Sequence, residues 1–278
     1  MVVRTVPKKQ KWELITVVLR TFVQPWLSVA NVESIWDGTN MLISLCIPCM
    51  NRTHDLEQVM SSLIKAANYS PPVELMILDY SSRDNLAEFS AASGAILAAE
   101  GVSKLSYKKF EGQKYFHMAH ARNLAVLASE GDFIVTGNCD YFLPLDYFER
   151  IRLALAEDSY VWMLQSDHEF VGLIGILRKT FIAAGGFDER FEFYGKEDKD
   201  LKRRLERRNE KVKVLSSDGI SQIVTPEFIK FHTNYRPGFT KFEMKKMARN
   251  IFEENIKNNV LVANEGSEWG QWARKYAM

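Results

Sequence analysis

Cysteine is scarce in this chain: Cys46, Cys49 and Cys139 are the three present in 278 residues. An odd number leaves one thiol out of any internal disulfide scheme, and a chain of this size needs no covalent staples, so a reducing, cytoplasmic compartment is expected. Net charge is nearly absent too, with 36 Lys plus Arg against 35 Asp plus Glu. No overall field draws the chain to nucleic acid, which is not expected as a partner, and any anionic ligand must be held locally. Long apolar runs are lacking. The start, Met1-Val2-Val3-Arg4, has no signal-peptide core, and the stretch from Leu14 to Ala30 is interrupted by Arg20, Gln24 and Pro25, so no transmembrane segment is expected. Lys8, Lys9 and Lys11 ahead of a partly apolar segment leave peripheral contact with the inner membrane face open, although a helix packed on the domain is the commoner explanation. Repeats and low-complexity tracts are missing, which sets aside solenoids, propellers and disordered arrays.

What the chain does have is 46% hydrophobic residues, enough for a full core. Residues 1–40 read as an N-terminal extension closed by the turn Asp37-Gly38-Thr39-Asn40, 41–235 as the main domain and 236–278 as a C-terminal helical segment. The nearly all-apolar Leu42 to Pro48 has the pattern of a strand covered on both faces. Thr53 is placed to cap a helix running to Asn68, with Leu56, Val59, Met60, Leu63 and Ile64 as its buried stripe. A second strand, Val73 to Leu78, delivers Asp79 to a polar turn, completing a βαβ unit. A strand at Lys104 to Phe110, a helix at Ala119 to Ser129 and a strand at Phe133 to Thr136 continue the alternation. Further strands are expected at Tyr160 to Gln165 and Gly172 to Leu177, a turn at Gly185-Gly186 and a helix from Glu197 to Arg208. The expected architecture is an α/β sandwich on a mostly parallel sheet, with ligands at the carboxyl ends of its strands: Pro48 to Arg52, Asp79 to Arg83 and Asn138 to Asp140.

Several groups there have chemistry to offer, each against a plainer explanation. Asp140 ends an apolar strand, where its carboxylate would suit a hard cation bridging phosphates, although Asp commonly just starts a turn. Gly195-Lys196-Glu197-Asp198-Lys199-Asp200 puts three carboxylates at a helix start. Acids there complement the helix dipole, and the same field keeps a general base ionised. His232 follows a short apolar segment and suits a metal, yet such a histidine is more often a bonded core residue. His117 and His120 precede Arg122 at the start of a helix that would face diphosphate; zinc at this pair lacks further ligands. Cys46-Ile47-Pro48-Cys49 has redox spacing, but Cys46 sits inside the strand, so packing explains both thiols better. Lys202, Arg203, Arg204, Arg207 and Arg208 form a basic run interleaved with Glu206 and Glu210, the pattern of a solvated helix face. Trp162, Trp269 and Trp272 could stack on sugars or simply pack in the core.

In order along the chain, these segments resemble the family-two-like glycosyltransferases of GT-A fold. The resemblance covers roughly residues 41–235. Ile43-Ser44-Leu45-Cys46-Ile47-Pro48 followed by Asn51-Arg52 is similar to the family's first strand and nucleotide-binding turn, and Leu78-Asp79-Tyr80-Ser81 to its second strand with the acid that meets the base. Ala121-Arg122-Asn123 resembles the helix whose Arg faces the donor. The DXD motif reads here Asn138-Cys139-Asp140, with Asn replacing the first Asp. Gly185-Gly186-Phe187-Asp188-Glu189 and then Glu197-Asp198 resemble the acceptor-side segment of inverting galactosyl- and N-acetylhexosaminyltransferases.

The resemblance implies a nucleotide-sugar donor, UDP-linked by family frequency, with Pro48, Asn51, Arg52, Asp79, Ser81, Arg122, Asn138 and Cys139 on the donor side. It implies Mn2+ or Mg2+ at Asp140 and His232, Asp198 as the base that deprotonates a glycan hydroxyl, Glu197 binding acceptor hydroxyls, and inversion at the anomeric carbon. Two alternatives stay open. One is a sugar nucleotidyltransferase, against which stands the lack of glycine in Pro48-Cys49-Met50-Asn51-Arg52. The other is a non-catalytic carbohydrate- or nucleotide-binding scaffold, which Asn138 favours and the retained Asp198 opposes.

Overall fold

The computed structural model describes residues 41–100, 103–158, 162–165, 170, 172–224, 226, 238–267 and 269. The chain divides into two units, Met1–Trp36 and Asp37–Met278, and the described residues all belong to the second. The segment from Leu14 to Ala30 lies outside the described residues. Among the described residues no helix is long and apolar enough to cross a membrane.

The apolar run forms β1 (Ile43–Cys49), buried at every position. Next comes α1 (Thr53–Tyr69), whose buried face includes Leu56, Val59, Met60, Leu63 and Ile64. Thr53 does not cap it. Arg52 holds the cap position without a side-chain cap bond, and the Asp84 carboxylate, from the loop after the second strand, accepts from the Thr53 backbone N–H at 3.0 Å. That strand, β2 (Val73–Tyr80), is also buried throughout and runs past the expected end. Its ladder with β3 (Lys104–Phe110) continues to Tyr80 opposite Phe110, which draws Asp79 out of the turn and into the sheet. Between them lies α2 (Leu86–Glu100). Then follow α3 (Met118–Ala128), β4 (Phe133–Thr136), the short β5 (Tyr141–Phe142) and α4 (Tyr147–Glu157). The second half contributes β6 (Trp162–Gln165), β7 (Ile174–Leu177), α5 (Arg178–Ala183), α6 (Glu197–Arg207), β8 (Val212–Leu215), β9 (Ser221–Gln222) and α7 (Lys241–Lys257).

Seven strands make one sheet in the order β3-β2-β1-β4-β7-β6-β8, and β5 with β9 make a small second one. Pairs β1–β2, β1–β4, β2–β3 and β6–β8 are parallel, whereas β7 runs antiparallel to both β4 and β6. Side chains alternate across the sheet, so each face has its own core. Ile43, Leu45 and Ile47 pack with the stripes of α1 and α4, while Cys46, Leu78 and Ile134 pack with α3, Phe181, Phe187, Leu201 and Leu205. Helices on both sides of a mixed, mostly parallel sheet are the expected α/β sandwich.

The halves are tied by polar side chains at points the apolar pattern does not mark. Arg178, opening α5, donates to the carbonyls of Val126, Ser129 and Gly131, and so closes the end of α3 and the turn into β4. The glycine pair works by shape. Gly185 and Gly186 have φ of +74° and +66°, and a Cβ on Gly185 would lie 2.0 Å from the Ala263 carbonyl oxygen. The basic run is not a solvated face throughout. Arg204 is fully buried, paired with Asp200 at 2.7 Å and donating to the carbonyls of Ala184 and Gly186. Its position three residues after Leu201 and one before Leu205 puts it inside the helix's buried stripe.

Candidate active site

Parallel β1, β2 and β4 end along one edge, and the chain start of antiparallel β7 meets them there. The turn after β1 is stitched to the turn after β2: Asn51, at φ +53°, donates its backbone N–H to the Ser82 hydroxyl and accepts on Oδ1 from the Arg83 N–H. Pro48 is buried within β1. Ser81, at φ +64°, donates to the Phe110 carbonyl and accepts from the Gln113 N–H. Asp79 is 2% exposed, and both its oxygens are engaged, Oδ1 by the Ser82 N–H and Oδ2 by the Tyr107 hydroxyl. In this arrangement it fixes the loop.

The Asn138-Cys139-Asp140 segment leaves β4 at the centre of the edge. Asp140 Oδ2 accepts from Arg52 Nη2 at 3.0 Å and from Gln222 Nε2 at 3.2 Å; the β5–β9 ladder, pairing Tyr141 with Gln222, brings that amide in. Arg52 also binds Asp55 at 2.6 Å. Cys139 and Cys49 are neighbouring buried thiols, and the contact between them, with burial, holds Cys49 well above its ordinary pKa. Cys46 is pushed up to about 12, chiefly by burial, so the paired-cysteine spacing carries packing.

Arg122 joins the two halves. It projects from α3, is 3% exposed, donates Nη2 to Asn138 Oδ1 at 3.2 Å and Nη1 to Glu197 Oε1 at 3.3 Å, and lies 5.3 Å from the centre of the Phe187 ring. The space it occupies depends on Gly172, where a Cβ would fall 2.7 Å from Arg122 Nη2. Glu197 is 7% exposed, and its Oε2 has no hydrogen-bond partner among the described residues. Burial lifts its carboxyl above the ordinary range; Arg122 draws it back and the charge of Asp198 lifts it further. Asp198 is 8% exposed and accepts on Oδ1 from the Lys199 N–H. Tyr141 is pushed up to about 12 by burial and then by Asp140, with Arg122 and Asn138 opposing and Asp198 adding to the rise.

The sequence reading missed what supports this arrangement. Asn123 grips the turn after Gly186 in both directions, accepting from the Phe187 N–H at 2.8 Å and donating to the Phe187 carbonyl at 2.9 Å. Asn255, on α7, donates to Asp188 and Asp200, and Arg190 pairs with Asp188. The Thr240-x-x-Glu243 capping box that opens α7 was a visible signal for that helix.

Other expected site residues fall differently. His120 Nδ1 lies 2.7 Å from the Tyr80 hydroxyl, and its ring stacks on that of His117; burial, then His117, lowers its pKa to about 4. Trp162 is 1% exposed and donates to the Glu210 carbonyl, and Trp269 packs on Phe181, so both belong to the core and offer no open face for a sugar. His232 and Trp272 lie outside the described residues. No group of three or more possible metal ligands occurs among the described residues. Asp140 Oδ2 is already paired with a guanidinium and the Asn138 oxygen accepts from another, so a divalent ion at these two residues would meet positive charge at both, which they do not fit as they stand.

A parallel nucleotide-type edge facing a Glu-Asp helix start, with one arginine between them, can be set beside known proteins. No curated protein matches the chain by sequence. Residues 151–228 match the family described as the N-terminal domain of galactosyltransferase. Among solved structures the chain is similar to a Pyrobaculum calidifontis mannosyltransferase, PcManGT, in complex with GDP-Man and Mn2+, at 14% identity and TM-score 0.54, over 74% of this chain and 62% of that one. It is similar to S. aureus TarS in complex with UDP-GlcNAc, at 15% identity and TM-score 0.55, over 80% and 70%. GalNAc-T7 with UDP, GalNAc and Mn2+ aligns at 12% identity and TM-score 0.58, over 90% and 59%. This is the GT-A glycosyltransferase fold. The chain spans less than two thirds of the mannosyltransferase and of GalNAc-T7. Within the GT-A fold, the matched family segment runs from α4 past β9 and contains the Glu197-Asp198 pair.

Proposed function

We propose that the chain is an inverting glycosyltransferase that moves a hexose or N-acetylhexosamine from a nucleoside diphosphate donor, UDP-linked by preference, to a hydroxyl of a glycan acceptor. The observation that carries this reading is the Arg122 guanidinium between Asn138 of the donor edge and Glu197 of the acceptor-side helix. One buried cation touches both halves at the point where a leaving diphosphate and an attacking hydroxyl would have to meet.

In this reading Asp198 takes the proton of the acceptor hydroxyl. The acceptor's hydroxyl oxygen bonds to the anomeric carbon as the bond to the diphosphate breaks, and the electron pair leaves on the diphosphate, beside Arg122. Glu197, fixed through Oε1, presents Oε2 to a second acceptor hydroxyl. Solved structures similar to this chain include complexes with UDP, UDP-GlcNAc and GDP-Man, and those of PcManGT and GalNAc-T7 also hold Mn2+, which supports a nucleotide-sugar donor. The likeness gives no acceptor.

The test is release of nucleoside diphosphate from a panel of UDP-, GDP- and dTDP-sugars, with and without simple glycan acceptors. One donor should be turned over, and Asp198→Asn should abolish transfer while leaving donor binding intact. Turnover of none, or undiminished transfer by the variant, would sink the reading. NMR of the first-formed product should show inversion; retention of the donor's anomeric configuration would remove Asp198 from the role of base.

A further inference from the structure

The turn after β1 sets a guanidinium against the carboxylate at which a divalent ion would bind. Arg52 Nη2 donates to Asp140 Oδ2 at 3.0 Å, and its Nε donates to Asp55 Oδ2 at 2.6 Å. Asp140 and Asp55 are 2% and 0% exposed, and the Arg52 side chain between them is 18% exposed. The residue that would add a second charge two positions before Asp140 is the neutral Asn138, and its oxygen accepts from Arg122. A cation arriving at Asp140, at either oxygen, would settle beside the guanidinium held on Oδ2.

Arg52 also stands in the right place for an anion. It immediately precedes α1 at the carboxyl edge of parallel β1, the edge at which such sheets meet their ligands. A planar guanidinium suits phosphate oxygens because it donates two parallel hydrogen bonds while supplying positive charge. Burial works to lower the Arg52 pKa, and the surrounding Cys139, Asp140 and Asp55 more than offset it, so the group stays a cation.

We infer that a nucleoside diphosphate is held at this edge without a divalent cation, its charge met by Arg52, which Asp55 and Asp140 orient. Asp140 is then a positioning residue. The inference rests on the donor-site reading proposed above, and the experiment separates the two.

Calorimetric titration of the full chain with UDP, GDP and dTDP, in EDTA and again with MnCl2, is compared for the unaltered protein, Arg52→Ala, Arg52→Lys and Asp140→Asn. One nucleotide should bind in EDTA with a Kd within about threefold of its value in manganese. Arg52→Ala should weaken that binding by about tenfold or more in both buffers, with Arg52→Lys recovering part of the loss. Asp140→Asn, which keeps an acceptor for Arg52, should weaken it less than Arg52→Ala does. Binding only with manganese, lost in Asp140→Asn, would overturn the inference and leave the donor site standing, and unchanged binding by Arg52→Ala would overturn the assignment to Arg52. No binding of any nucleotide in either buffer would overturn both. Thermal melting checks that each variant folds; if Arg52→Ala does not, the comparison of EDTA with manganese on the unaltered chain decides.

Discussion

At the donor edge, from β1 to β4, the buried carboxylates of Glu74 and Asp79 are matched at both oxygens inside the protein, and that of Asp140 is held through Oδ2. Glu74 accepts from the Ser44 and Ser106 hydroxyls and the Glu130 N–H, Asp79 from Ser82 and Tyr107, and Asp140 from Arg52 and Gln222. On α6, Glu197 keeps an oxygen that no described residue meets. The donor side rests on β1, β2 and β4, buried at every position, whereas the acceptor side is a loop and a helix held by polar side chains: Asn123, Arg204 and Asn255. A buried acid with all its bonds made is part of the scaffold, and one left short is a candidate to meet a ligand.

Four changes would break or sharpen that contrast. Asp198→Asn bears on chemistry alone, and transfer should fall by about 10²- to 10⁴-fold, read as kcat with donor Kd unchanged. Arg204→Ala strikes the scaffold of the acceptor side. It leaves Asp200 and two carbonyls without their cation in a fully buried pair, so urea unfolding should show a loss of about 3–5 kcal/mol. A loss below about 1 kcal/mol would mean that the apolar stripe alone holds α6. Gly172→Ala tests the bridge between the halves: its methyl would crowd Arg122, and we expect transfer to drop about tenfold, or about 1.4 kcal/mol, with little change in melting temperature.

The fourth change tests the donor side. Because the folded His120 pKa is lowered to about 4 from 6.5, its neutral form favours the fold. That contribution is present above pH 6.5 and drains as pH falls towards 4, at up to about 1.4 kcal/mol per pH unit for one proton. His120→Phe should flatten the stability profile over that interval, as followed by denaturant unfolding at each pH; an unaltered slope would assign the titration to other groups.

The apolar runs made the sandwich legible, because strands buried on both faces and helices with one stripe have different periods. The order of the candidate segments anticipated that they would be neighbours: Arg52 reaches Asp140, and Arg122 reaches both Asn138 and Glu197. Partner choice was not. Whether Asp79 faces a ligand or the Tyr107 hydroxyl depends on how far β2 and β3 stay paired, and whether Arg204 is solvated depends on where the helix stripe falls. That stripe could have been read from the spacing of Leu201, Arg204 and Leu205. The partners of Asp140, from residues 52 and 222, could not, since neither lies near it in sequence.

Arg178 has a consequence in time. During synthesis α3 and the turn into β4 emerge well before it, yet the carbonyls of Val126, Ser129 and Gly131 receive its guanidinium only once residue 178 has left the ribosome. At the usual pace of elongation that wait is on the order of seconds. The nascent donor half therefore passes through an interval with its α3 terminus open and the core face that will meet Phe181 and Leu201 uncovered, a stage at which a chaperone would find it.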